Sequence, residues 1–149
     1  MFKFKFEKMI KIKESILKKS LLELASIDKM IKLKKEEKNR MEIDNQQRRK
    51  KLNNLLKKDN FEKNMLVFVS ENIQRAERRI AMLEREISSL NIARTKKLDE
   101  ILFLNMEKKK LEKLKSKEYE RYLEEENKSE MRFLNEIANI RSANRILRN

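Results

Sequence analysis

The sequence predicts an all-α protein, a long two-helix antiparallel coiled-coil hairpin. Three observations carry that prediction. Gly and Pro are both absent from the 149 residues, so the residues that usually punctuate turns are missing. Charged residues make up 43% of the chain and aromatic residues only 6%, a composition of long helices rather than of a packed globule. Apolar residues recur at coiled-coil spacing, which argues against the disorder that high charge otherwise favours.

Helix one is expected over about 3–57. It opens MFKFKFEKMIKIK, where Phe2, Phe4 and Phe6 alternate with Lys3 and Lys5. Period two suggests a strand or a basic tag, but on a helix Phe2, Phe6, Met9 and Ile10 share one face. The segment therefore reads as the fraying start of helix one, with Phe4 pointing away and available to a partner. Farther on, Ile10, Leu17, Leu24 and Ile31 repeat every seven residues, and the same frame meets Ile27, Met41, Leu52 and Leu55.

A bend is expected over about 58–64, where Asp59-Asn60 offers the best turn dipeptide of a chain without Gly. Helix two is expected over about 65–147. Leu66, Val69, Ile73, Ala76, Ile80, Leu83, Ile87 and Leu90 fill eight successive core positions; the run falters at Arg94 and Lys97 and resumes with Ile101, Leu104 and Leu111. One constant register joins the two helices. If facing residues sum to 121, Leu55 meets Leu66, Met41 meets Ile80, Ile31 meets Leu90, Leu17 meets Leu104 and Ile10 meets Leu111.

Polar residues interrupt this seam: Lys38 faces Leu83, Asn45 faces Ala76 and Arg48 faces Ile73. Such residues cost stability and restrict register. The Lys38 and Arg48 stems are expected to lie along the seam with their charges in water. The same register leaves a C-terminal overhang of about 119–149 within a single elongated domain, 1–149. The overhang begins with an acidic patch, Glu118 to Glu130, and continues with a helical face of Phe133, Ile137, Ile140 and Leu147 that has no intrachain cover. Val67 and Phe68 lie off the seam near the bend, so they are either covered by Phe61 and the loop or form a docking patch.

Composition also excludes chemistry. The chain has no His and no Cys, which removes the usual zinc ligands, cysteine nucleophiles and imidazole bases. Without Gly there is no glycine-rich phosphate cradle. An enzyme is not expected, nor a cofactor, a metal site or a small-molecule substrate. The net charge is +14, +10 of it in residues 1–60 (19 Lys/Arg against 9 Asp/Glu). A basic surface attracts nucleic acid, anionic lipid or acidic protein without choosing among them. Arg48-Arg49-Lys50-Lys51 and Arg75, Arg78, Arg79 are candidate phosphate contacts, but acids interleave with them and no nucleic-acid motif is present, so a solvated face is the better reading. No apolar run approaches 18 residues, and the N-terminus has no continuous apolar stretch of a secretory signal. A cytoplasmic protein is the default.

The opening, with Phe2, Phe4, Phe6, Met9, Ile10, Lys13, Glu14, Leu22, Leu24 and Ala25 in place, resembles the start of the FliJ-type stalk family of flagellar type III export. The far end is similar too: Glu130, Leu134, Asn135, Glu136, Ile137, Ala138 and Arg141 resemble that family's ending, with Asn135 standing where the family has Asp. The resemblance implies a soluble hairpin like the γ stalk of rotary ATP synthases, cytoplasmic and peripherally associated with the inner membrane at the export apparatus. Its implied partners are a hexameric export ATPase, the cytoplasmic region of an export-gate membrane protein, and export chaperones. Ring contact then falls to Phe2, Phe4, Phe6, Ile10, Phe133, Ile137 and Ile140, and gate contact to Phe68, Asn72, Arg75 and Arg79; at Asn72 an apolar residue would suit the contact better. The equivalent stalk of a virulence injectisome is the alternative within the class, and a basic coiled-coil nucleic-acid binder the alternative outside it.

Overall fold

A computed structural model describes residues 1–58 and 62–148. The described residues form two helices, α1 (Glu7–Leu56) and α2 (Lys63–Arg148). The two long helices pack against each other, and no strand occurs among the described residues. Helices of 50 and 86 residues persist because nothing in them breaks the i to i−4 ladder: no proline removes a donor and no glycine adds backbone entropy.

Helix one starts later than the periodicity predicts. Residues 1–4 are not helical, and the chain turns at residues 5 and 6 before α1 begins. The turn closes when the Glu7 amide donates to the Phe4 carbonyl at 3.3 Å, and the Ile10 amide then donates to the Phe6 carbonyl at 3.1 Å. Glu7 sits in the first turn, where its charge complements the positive end of the helix dipole. Arg145 and Arg148 do the converse in the last turn of α2. At the other end of α1 the Lys58 amide donates to the Leu55 carbonyl at 3.3 Å, a tight final turn of the kind that satisfies orphaned carbonyls. The Asp59-Asn60 turn and the expected cover by Phe61 lie outside the described residues.

Contacts group the chain into two units, residues Lys18–Leu102 and residues Met1–Leu17 with Phe103–Asn149. In the unit 18–102 the core is Ile31, Val69, Ile73, Ala76 and Leu83, and Leu83 is fully buried. Leu24, Met41, Leu52, Leu55, Leu66, Ile80, Ile87, Leu90 and Ile101 are half-buried along the same seam. Among the described residues, six ion pairs cross between its helices. Glu23–Lys97, Asp28–Arg94, Lys34–Glu86 and Lys38–Glu84 have partner numbers that sum to 120 or 122, while Glu37–Arg79 and Arg49–Glu77 fall on either side of that value. Partner numbers fall on α2 as they rise on α1, so the helices are antiparallel.

Two polar side chains are buried in this seam, Ser20 and Asn45. The periodicity marks Asn45; Ser20 lies in the same frame but was not singled out. Asn45 Oδ1 is buried with no hydrogen-bond partner among the described residues, which costs stability because its solvation is lost without replacement. Lys38 runs along the seam and pairs with Glu84 at 3.2 Å and Glu42 at 3.7 Å, as a snorkelling stem would.

In the unit 1–17 with 103–149, the buried apolar residues are Phe4 and Ile10, with Leu17, Leu104 and Leu111 half-buried. Here Glu7–Lys115, Lys13–Glu107 and Glu14–Lys108 link the helices, again antiparallel and at the same numerical offset.

Candidate docking surfaces

Two surfaces stand out, one in each unit. In the unit 1–17 with 103–149, the non-helical opening lies against α2. The Phe2 ring meets Tyr119 edge-on at 5.3 Å and Tyr122 at 5.5 Å. Phe4 turns inward to 8% exposure and packs edge-to-face on Phe6 at 5.8 Å. Aromatic pairs at these separations add roughly 0.5–1.5 kcal/mol each beyond the area they bury. Lys3 and Lys5 point to solvent, with the Lys5 ammonium 5.6 Å from the Phe6 ring centroid. The period-two alternation is therefore literal: phenylalanines face the protein and lysines face water.

Two of the expected ring contacts, Phe4 and Ile10, are buried here. Phe4 is not free for a partner, because the non-helical opening, which turns at residues 5 and 6, puts it on the inner side. Ile10 is also buried, at 5% exposure, and belongs to the seam. Phe2 and Phe6 are half-buried. Phe133 and Ile140 are exposed at 62% and 61%, with Ile137 half-buried between them. Spaced at i, i+4 and i+7, the three share a helix face. Leu147 continues it at 84% exposure. Tyr119 and Tyr122 were not singled out by sequence reading, although the register that sets residue 2 opposite residue 119 contains the contact.

The second surface lies on α2 in the unit 18–102. Phe68, Asn72, Arg75 and Arg79 alternate between the two heptad positions that flank one side of the seam, so they share an outer face. Phe68 is 60% exposed and Val67 49% exposed; Arg75 is exposed, and Asn72 and Arg79 are half-buried. Arg79 is already engaged, donating from Nη2 to Glu37 Oε1 at 3.1 Å. Of the basic clusters, Arg49 pairs with Glu77 and Arg78 donates to the Gln74 carbonyl at 3.4 Å.

The titrating groups work within the ion pairs. Glu23 is held below the usual carboxylate range by its hydrogen bond from Lys97, and Glu86 by one from Lys34. Lys97 and Lys38 are raised, chiefly by their hydrogen bonds to Glu23 and Glu84. The Tyr122 hydroxyl donates to Glu126 Oε1 at 2.5 Å and titrates above its ordinary range for that reason. Among the described residues no group of three or more His, Cys, Asp or Glu is placed to hold a metal, and no helix is long and apolar enough to cross a membrane. No family model matches the chain, and no curated protein or solved structure matches it either.

Proposed function

We propose that the protein is a stalk component of a flagellar type III export apparatus. In this reading the end of the molecule carrying its termini engages a hexameric export ATPase ring, as the γ stalk of a rotary ATP synthase engages its own ring. The observation that carries the proposal is the phenylalanine-rich opening, FKFKF, followed by a helix whose returning partner ends in an exposed apolar face. Phe133, Ile137 and Ile140 would supply the ring contact, helped by the outer edges of Phe2 and Phe6. Phe4 and Ile10 would act indirectly, by holding the opening segment against α2.

The face of Phe68, Asn72, Arg75 and Arg79 would meet the cytoplasmic region of the export gate, and export chaperones would use the same hairpin. Such a stalk contributes stiffness and charge, not catalysis, and works in the cytoplasm beside the inner membrane. Mixing the protein with the export ATPase of its own organism tests this directly. Ring assembly and ATP hydrolysis should both rise, and Phe133→Ala with Ile140→Ala should abolish the rise while leaving helicity intact. No change in either quantity with the parent protein would sink the proposal.

A further inference from the structure

Charge is segregated within the unit formed by residues 1–17 and 103–149. Every acid between residues 1–17 and 103–112 is consumed: Glu7 pairs with Lys115, Glu107 with Lys13, and Glu14 and Glu112 with Lys108. Eight lysines are left, Lys3, Lys5, Lys8 and Lys11 on the first segment and Lys109, Lys110, Lys113 and Lys117 on the second. All are exposed, and none has a carboxylate within 4.0 Å among the described residues. Directly downstream, Glu118, Glu120, Glu124, Glu125, Glu126 and Glu130 engage no cation among the described residues, with only Arg121 and Lys128 between them.

Apolar groups accompany both patches. Met9, Ile12 and Ile16 are 45%, 58% and 44% exposed beside the lysines, and Tyr119 and Leu123 are 46% and 40% exposed in the acidic stretch. Met9, Ile12 and Ile16 occupy the positions flanking one side of the seam, so they form a stripe rather than scattered points.

We infer that this end of the molecule self-associates: the acidic stretch 118–130 of one copy docks on the lysine-rich end of a second, antiparallel copy, and the reverse contact forms at the same time. The more distant of these opposite charges cannot meet within one chain. Lys110 and Glu124 lie on one helix, about 21 Å apart at 1.5 Å per residue, more than two Debye lengths at physiological ionic strength. An antiparallel second copy brings the two patches together twice, in the self-complementary contact of a two-fold dimer. A polyanion such as nucleic acid or an anionic membrane fits less well, since six glutamates adjoin the lysines it would need. Opposed charges set orientation and association rate, while the apolar stripe supplies contact area. Self-association of this end is independent of any export role.

The test uses the full chain in sedimentation velocity at low and high salt. The dimer should form at low salt and dissociate at high salt. Glu120→Gln with Glu124→Gln and Glu125→Gln, which keeps helix propensity, should weaken it at least tenfold. Glu120→Lys/Glu124→Lys/Glu125→Lys and Lys8→Glu/Lys11→Glu/Lys109→Glu/Lys113→Glu should each be monomeric and helical by circular dichroism. An equimolar mixture of those two should recover a dimer, because each then offers what the other lacks. A monomeric parent at low salt would overturn the inference. So would a dimer indifferent to the Gln changes, or a parent that stays monomeric yet binds anionic vesicles or DNA.

Discussion

The two units use the same helices differently. Residues 18–102 form a seam with five buried apolar side chains and six interhelical ion pairs. Among the described residues, 1–17 with 103–149 bury of their apolar side chains only Phe4 and Ile10, hold the opening segment with an aromatic cluster, and leave a long stretch of α2 bare. The larger buried core lies in residues 18–102, and the longer uncovered stretch of α2 lies in the other unit. A helix bound along its length spends its apolar face on its neighbour; one without a neighbour keeps it for a partner.

The sharpest way to break this contrast is at Leu83, which has no exposure at all. Leu83→Ala should cost about 2–5 kcal/mol through lost transfer energy and a cavity, read as a lower denaturation midpoint with an unchanged slope. A loss below half a kilocalorie would place the stability elsewhere.

Phe4→Ala should be felt next, and locally. Releasing the opening segment should cost about 1–3 kcal/mol, visible as faster amide exchange around Glu7 to Ile10 and altered Tyr119 and Tyr122 signals. Exchange in residues 66–90 should stay at parental rates. Uniform acceleration along the chain would erase the distinction between the units.

Asn45→Leu runs in the opposite direction. Removing a buried oxygen without a partner should stabilise by about 1–2 kcal/mol, provided the added volume is accommodated. Because a polar seam residue also restricts register, the variant should form some misaligned or oligomeric species, measurable by sedimentation.

The smallest effect is electrostatic. Glu23 and Glu86 are lowered in the folded protein, so their contribution is present above the unfolded carboxylate value and is lost as pH falls through the folded one. Lys38 and Lys97 are raised, so theirs is complete below the unfolded lysine value and is lost as pH rises through the folded one. Stability should be flat at neutral pH and decline at both extremes. Lys97→Ala should cause only a small loss, as exposed pairs do, and should flatten both limbs; thermal melts across pH will show whether it does.

How much was legible follows from which interactions are local. The sum of 121 between facing residues could be read from the spacing alone, since a heptad stripe on each helix admits few matching registers once the chain must reverse. Asn45 was visible as a polar residue in that frame. Ser20 lies in the same frame, one heptad before Ile27, but was not singled out. The exposed faces at Phe68 and at Phe133 to Ile140 were legible as apolar residues off the seam or beyond it. The consumption of acids by Lys13, Lys108 and Lys115 was not, because pairing depends on which long side chains reach one another.

The sequence by itself determined the helical class, the antiparallel register and the uncovered end. Absent turn residues and seven-residue apolar spacing leave the backbone few alternatives to two long helices. Only the tertiary structure decided the fate of FKFKF. Its alternation is compatible with a strand, a tail or a helix start, and local propensity does not choose among them. Tyr119 and Tyr122, more than a hundred residues away, give Phe2 something to pack on outside a helix. That long-range contact, absent from any local window, turns Phe4 inward and begins the helix at Glu7.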